Sequence, residues 1–181
     1  EGYVDITQNK GAKVVSMDMA VMRSFFQTAP LVYANIARLA CENRSLPQVK
    51  ALKTSQQHFK KATLNHDPAQ AAMHNHQFHQ IIGDMSQNCY LIPSLQRMLI
   101  DHTRLSQTFY RPASPAESVL VRQACDQHDD MIAAIEDQQV EAAVALTLQH
   151  WALSQDRMER FVRPDPLPVE LTIPKETAHA I

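Results

Sequence analysis

The sequence predicts an all-α fold: an antiparallel bundle of six to seven helices, preceded by a short β-hairpin. Three observations carry that prediction. Glycine is scarce: of three, Gly2 and Gly11 lie near the start, and only Gly83 remains beyond them. Sheets need glycine at turns and bulges, whereas a bundle needs only other residues to cap its helices. Such caps recur, in Ser45-Leu46-Pro47-Gln48, Asp67-Pro68-Ala69-Gln70 and Ser114-Pro115-Ala116-Glu117. Each has a capping oxygen, then proline where the amide has no partner, then a Gln or Glu that can reach back. Between the caps, apolar residues repeat at helical spacing.

In order along the chain, Tyr3-Val4-Asp5-Ile6-Thr7 alternates as a strand does, and Ala12-Lys13-Val14-Val15 less cleanly. Gln8-Asn9-Lys10-Gly11 between them is a turn signal. An isolated hairpin is marginal in water. A chain that starts on a strand without methionine therefore reads as a fragment, its hairpin (residues 1–16) belonging to a preceding domain. The helical domain spans 17–162. Its first helix runs from about Asp18 to Glu42, with a kink or break expected at Pro30. The second runs from Ser45 to near Thr63, the third from Asp67 to Met85, the fourth from Asn88 to Tyr110. The fifth runs from Ser114 to Glu136, and Asp137 caps a sixth that ends near Phe161. Residues 163–181, with Pro164, Pro166, Pro168 and Pro174, form an extended tail.

Composition excludes several classes. A net charge of -2 over 181 residues gives no sign of nucleic-acid binding by this segment itself. No apolar run is long enough for a transmembrane helix, and no signal peptide is evident. Cys41, Cys89 and Cys125 form neither a CxxC pair nor a disulfide framework. They read as reduced packing residues of a cytoplasmic protein.

Polar residues inside apolar stripes are the functional signal. On helix three, Ala71, Asn75, Phe78, Ile82 and Met85 share a face, with Asn75 in its middle and His79 at its edge. Four residues apart, Asn75 and His79 lie one above the other. On helix five, His128 is central to Val121, Cys125, His128, Ile132 and Ile135. On helix six, His150 lies between Leu146 and Leu153. A buried polar group without a partner costs roughly 1–3 kcal/mol, so three intrusions on three helices suggest that they meet. Helices five and six are antiparallel neighbours. At ~1.5 Å per residue, His128 and His150 stand within about one turn of each other in height. Three imidazoles and an amide oxygen suit a divalent transition metal such as zinc or nickel. The bland alternative is a set of satisfied core histidines.

His76 also stands i, i+3 to His79 but points well away from the stripe centre. His58, His66, His102 and His179 read as solvated, and so do Glu42, Asp84, Asp101, Asp129 and Asp130 unless they cap helices. Arg97 and Arg104 share a face of helix four and either reach an anionic ligand or are surface charges. No Glu-x-x-His pair, phosphate loop or Gly-x-Ser-x-Gly occurs.

Asp67-Pro68, then Asn75-His76-Gln77-Phe78-His79, then Ser86-Gln87-Asn88 together resemble the signature of the FadR-type C-terminal (FCD) domain of GntR transcription regulators. That signature is an acid, two residues, Phe-His, and about nine residues later an asparagine opening the next helix. His128, Ile132, Ala134-Ile135, Asp137, Ala142 or Ala143, and His150 match its second half in order and spacing. Glu1 to Val14 resembles the wing that ends the family's winged helix-turn-helix DNA-binding domain. The resemblance covers roughly residues 1 to 161. It implies a dimeric effector-binding domain and no enzyme. It also implies a metal on Asn75, His79, His128 and His150, a small carboxylate effector beside it, and operator DNA bound through the missing N-terminal domain.

Two departures stand out. Asn75 replaces the family's aspartate, which lowers charge and so metal affinity. Ala29 or Pro30 replaces the arginine of the first helix, leaving an effector contact to be supplied elsewhere, for example by Arg104. The rivals are a metalloenzyme on the same histidines, which lacks an evident general base, and a structural dimerisation domain without metal.

Overall fold

The computed structural model describes residues 3–7 and 11–162. The turn at 8–10 and the proline-rich tail at 163–181 lie outside the described residues. Strands β1 (Val4–Thr7) and β2 (Gly11–Val14) pair antiparallel, Val4 opposite Val14 and Thr7 opposite Gly11. Six helices follow: α1 (Met19–Asn43), α2 (Leu46–Leu64), α3 (Pro68–Met85), α4 (Leu91–Ser106), α5 (Pro115–Glu136) and α6 (Val140–Val162). The all-α bundle with its leading hairpin is thus observed.

The caps behave as their chemistry requires. The side chains of Asp18, Asp67 and Ser114 accept from the amides of Val21, Gln70 and Glu117 at 2.8, 3.0 and 3.3 Å. Gln48 Oε1 accepts from the Ser45 amide at 3.0 Å. Asn88 accepts from the amides of Tyr90 and Leu91, so α4 is primed from Asn88 but begins at Leu91, and it ends at Ser106, short of Tyr110. At the other ends, His66, Gln87 and Gln138 take φ of 54°, 53° and 56°. These are the left-handed closures that glycine usually makes. In a chain this poor in glycine, L-residues adopt them at a cost of roughly 1–2 kcal/mol each.

Two boundary expectations and one burial expectation need correction. Asp137 does not open α6. It closes α5, its amide reaching Ala133 O at 2.9 Å, and α6 starts at Val140 after Gln138 reverses the chain. No break occurs at Pro30: α1 continues through it, because Ala29, Val32, Tyr33, Ile36 and Ala37 bury one continuous face on the bundle. Cys89 is exposed rather than packed, while Cys41 is buried and Cys125 half-buried.

Helix α1 runs through the middle of the bundle, against α3, α4, α5 and α6, while α2 packs on α3 and α5. Two apolar clusters result. The larger joins Phe25, Tyr33, Ile36, Phe78, Leu95, Met131 and Trp151, and the smaller joins Phe59, Ala71, Phe109, Tyr110 and Ala124. Gly83 lets α3 lie close to α4: a Cβ there would stand 2.5 Å from Leu95 Cδ2. No helix among the described residues is long and apolar enough to cross a membrane.

Candidate metal centre

Where the two apolar clusters meet, the bundle encloses imidazoles. His79 of α3, His128 of α5 and His150 of α6 are 3%, 0% and 7% exposed, and one nitrogen from each lies within 4.8 Å of the others. Asn75, one turn before His79 on the same buried face, is 2% exposed. The stripes therefore converge as the helical spacing requires. Phe78 stacks on the His128 ring, 3.8 Å between centroids and 9° between planes, and Phe59 closes its other neighbourhood at 4.9 Å.

The protons can be placed from the partners. Gln56 of α2 donates its amide to Cys125 O at 2.8 Å and Asp129 Oδ1 at 3.1 Å, which fixes which end of the amide faces inward. Its Oε1 then faces His128 Nδ1 at 3.0 Å, so Nδ1 carries the proton and Nε2 a lone pair. Gln127 Oε1 meets His150 Nδ1 at 3.1 Å and does the same there. The two Nε2 atoms face each other at 3.2 Å. With both Nδ1 atoms protonated, the two lone pairs repel at that distance unless a cation or a proton lies between them, whereas an Nε2-protonated His150 would donate an ordinary hydrogen bond to His128. Among the described residues, Asn75 Oδ1 and His79 Nε2 are buried without a hydrogen-bond partner. Most buried polar atoms are satisfied, so these two are atoms that a cation held by the same residues would satisfy.

The donor set fits a divalent transition metal. With bonds of about 2.0–2.1 Å, two tetrahedral ligand atoms stand roughly 3.3 Å apart, close to the 3.2 Å between the Nε2 atoms. Burial and mutual repulsion keep the donors deprotonated. Burial, then the neighbouring imidazoles, holds His79 and His128 well below the usual histidine range, and burial pushes His150 down to about 4. The support extends outward, since Lys60 pairs with Asp129, which in turn holds Gln56.

His102 corrects the expectation of a solvated residue. It is 4% exposed, its ring lies 5.8 Å from that of His79, and its Nδ1 meets the Tyr33 hydroxyl at 2.8 Å. Burial and the nearby His150 and His76 push it down to about 3. Its signal was present in the sequence: His102 continues the Leu95, Leu99, Leu105 stripe. Asp101 is buried too, not solvated, accepting from the Tyr3 hydroxyl at 3.2 Å and facing Arg104 at 3.5 Å. Burial raises its carboxyl above the usual range against the pull of both arginines. His76 bonds Thr103 Oγ1 at 2.9 Å.

Arg97 and Arg104 stand at the hairpin rather than with the imidazoles. Arg104 donates to Val15 O at 3.1 Å, and the Arg97 guanidinium lies over the Tyr3 ring, 5.6 Å from its centroid. The Tyr3 hydroxyl also donates to Arg97 O at 2.8 Å. Both arginines therefore hold the hairpin on α4. Of Ala29 and Pro30, the two positions expected to replace the first-helix arginine, Ala29 is fully buried.

Comparison with known proteins agrees with this architecture. Residues 31–153 match the FCD domain family. Among solved structures, McbR/YncC of E. coli superposes with a TM-score of 0.74 at 14% identity, covering 88% of this chain and 78% of that one. The GntR of Streptococcus agalactiae gives 0.60 at 16%, covering 87% and 75%. A GntR family member from Pseudomonas syringae pv. tomato gives 0.59 at 17%, covering 86% and 62%. No curated protein matches the sequence. The likeness in structure shows the fold, and the family match covers most of the helical bundle: this chain belongs to the FCD domain family, the effector-binding and oligomerisation domains of GntR-type transcription regulators rather than enzymes.

Proposed function

We propose that this domain senses a small carboxylate metabolite through a divalent transition metal, zinc or nickel, held by Asn75, His79, His128 and His150. The carrying observation is the pair of facing Nε2 atoms at 3.2 Å beside two buried acceptors without partners. A bound ion would supply the positive charge those four atoms lack, and by expanding beyond four ligands it would take a carboxylate oxygen. Gln56 and Gln127 hold the two Nδ1 protons, so that both Nε2 lone pairs point inward. Phe78 and Phe59 exclude water from His128.

The domain works as a homodimer, and the hairpin is the wing of a winged helix-turn-helix domain that reads operator DNA. A connected route supports a switch between them. Tyr33 stands edge-on to His79 at 5.4 Å and bonds His102, whose chain neighbour Asp101 receives Tyr3 of the hairpin. A ligand that binds two arrangements of this route unequally shifts the wing, whereas equal binding shifts nothing. Elemental analysis of the purified chain, beside His79→Ala and His128→Ala, tests the reading. About one zinc or nickel per chain, lost in both variants, is the expected result. A metal-free chain after metal-replete preparation would overturn it.

A further inference from the structure

A cleft of about 210 Å³ opens at the end of the bundle, between the α2–α3 turn, the segment after α4 and the first turns of α5. For scale, a cavity of ~150 Å³ holds benzene. His79, His128 and His150 do not line it, and His66 of the α2–α3 turn does. Its apolar part comes from Ala71, Tyr110 and Val121, with Leu64 at the rim 79% exposed. Its charged part comes from one cation and one anion, Arg122 and Asp67, neither in an ion pair among the described residues. Asp67 caps α3 through one oxygen, accepting from the Gln70 amide at 3.0 Å, which leaves the second as an acceptor.

The exposed Arg122 and Asp67 with an apolar wall of this size match a small zwitterion carrying an apolar side chain. An anion alone would leave Asp67 opposed, and a cation alone would leave Arg122 opposed. We propose that the cleft is a second ligand site, for a small zwitterion of the amino-acid type with an apolar side chain. Its carboxylate pairs with Arg122, its ammonium with Asp67, and its side chain covers Ala71, Val121 and Tyr110.

The site adjoins the imidazole cluster through one residue. Cys125 lines the cleft, and its carbonyl accepts the Gln56 amide that positions His128. A molecule seated against Cys125 therefore bears on the element that orients a proposed metal ligand. This extends the sensing role proposed above, but binding in the cleft itself needs no metal.

The test uses leucine with its two halves, 4-methylpentanoate (no ammonium) and 3-methylbutylamine (no carboxylate). Each is titrated by calorimetry and amide NMR into the intact chain, metal-replete and chelator-treated, with metal content read on each sample. Leucine is expected to bind about tenfold more tightly than either half, as loss of one charged contact implies, and to shift the amides of Thr63 and Cys125. Arg122→Gln should weaken leucine about tenfold and leave the amine unchanged. Asp67→Asn, which keeps the cap, should weaken leucine and leave 4-methylpentanoate unchanged. Ser118→Phe, which fills the cleft from α5, should abolish all binding. Equal binding of leucine and 4-methylpentanoate, leucine binding that survives Ser118→Phe, or no saturation by leucine at tens of millimolar would each overturn the proposal. Loss of leucine binding only in chelator-treated chain or in His128→Ala would place the ligand on the metal and overturn the cleft. A metal-free chain that still binds leucine through Arg122 would instead overturn the metal reading and leave the cleft standing.

Discussion

Gln56→Ala separates what holds the bundle together from what readies the site for metal. Gln56 is 2% exposed and makes three hydrogen bonds, to His128 Nδ1, Cys125 O and Asp129 Oδ1, at 3.0, 2.8 and 3.1 Å. Its removal strips the acceptor from a proton on a fully buried ring. An orphaned buried donor costs about 1–3 kcal/mol. His128 has an escape, however. If its proton moves to Nε2, it can bond the bare His150 Nε2 at 3.2 Å. That relocation recovers part of the loss, so the net cost should be about 1–2 kcal/mol, or ~2–8 °C in melting temperature for a domain of this size.

The same relocation places a proton where a metal would bind. Affinity should therefore fall out of proportion to stability, by about 10–100-fold, the usual range for a lost outer partner of a ligating histidine. Competition with a chromophoric zinc chelator measures the affinity, and thermal melting followed by circular dichroism measures the stability. If Gln56→Ala lowered the melting temperature but bound zinc as tightly as the parent, the tautomer argument would be refuted. Gln56 would then be a packing residue only.

Two further outcomes follow from the same site. Without metal, His150 is held at about 4 when folded against the ordinary 6.5, so the unfolded chain binds more protons between those values. The contribution of His150 should be full above about pH 6.5 and fall by on the order of 3 kcal/mol as pH drops to 4, with no further loss from this group below that, and His79, His102 and His128, also held low by burial, add to the loss in the same window; urea midpoints that stay flat across this window would contradict it. Asn75→Asp puts a carboxylate at a position 2% exposed, so the metal-free chain should melt lower. It should also bind zinc at least ~10-fold more tightly by the chelator competition, because the new charge meets the ion directly; unchanged zinc affinity would mean that residue 75 does not touch the metal.

How far the sequence shows this molecule depends on whether a residue's role is local. Capping is local, so α3 and α5 were legible to their last residues, Met85 and Glu136. Where a boundary depends on a neighbour it was not. Asp137 has the side chain of an N-cap but sits where α5 must close before a reversal at Gln138, and the packing of α5 on α6 decides that. Pro30 weakens α1 locally, yet burial on both sides of it keeps the helix whole. Glycine scarcity did point to helices, but the reason is only half that sheets are absent. The other half is that His66, Gln87 and Gln138 accept left-handed backbone in glycine's place, and periodicity does not reveal which L-residue will do so.

The site divides along the same line. Asn75, His79, His128 and His150 were visible because each interrupts an apolar stripe, and a polar group in such a stripe needs a partner wherever the helices place it. His102 interrupts a stripe in the same way and was legible in principle. Gln56 also lies on one, between Leu52 and Phe59, but glutamine is common on half-buried faces, so its presence there carries little information. Arg97 and Arg104 are less legible. Two cations seven residues apart on a helix look like a clamp for an anion, and nothing local says that the partner will be a tyrosine 94 residues earlier in the chain. Position on a stripe indicates that a side chain goes inside; only the fold says what it meets, and here it brings one nitrogen each of His79, His128 and His150 within 4.8 Å of one another.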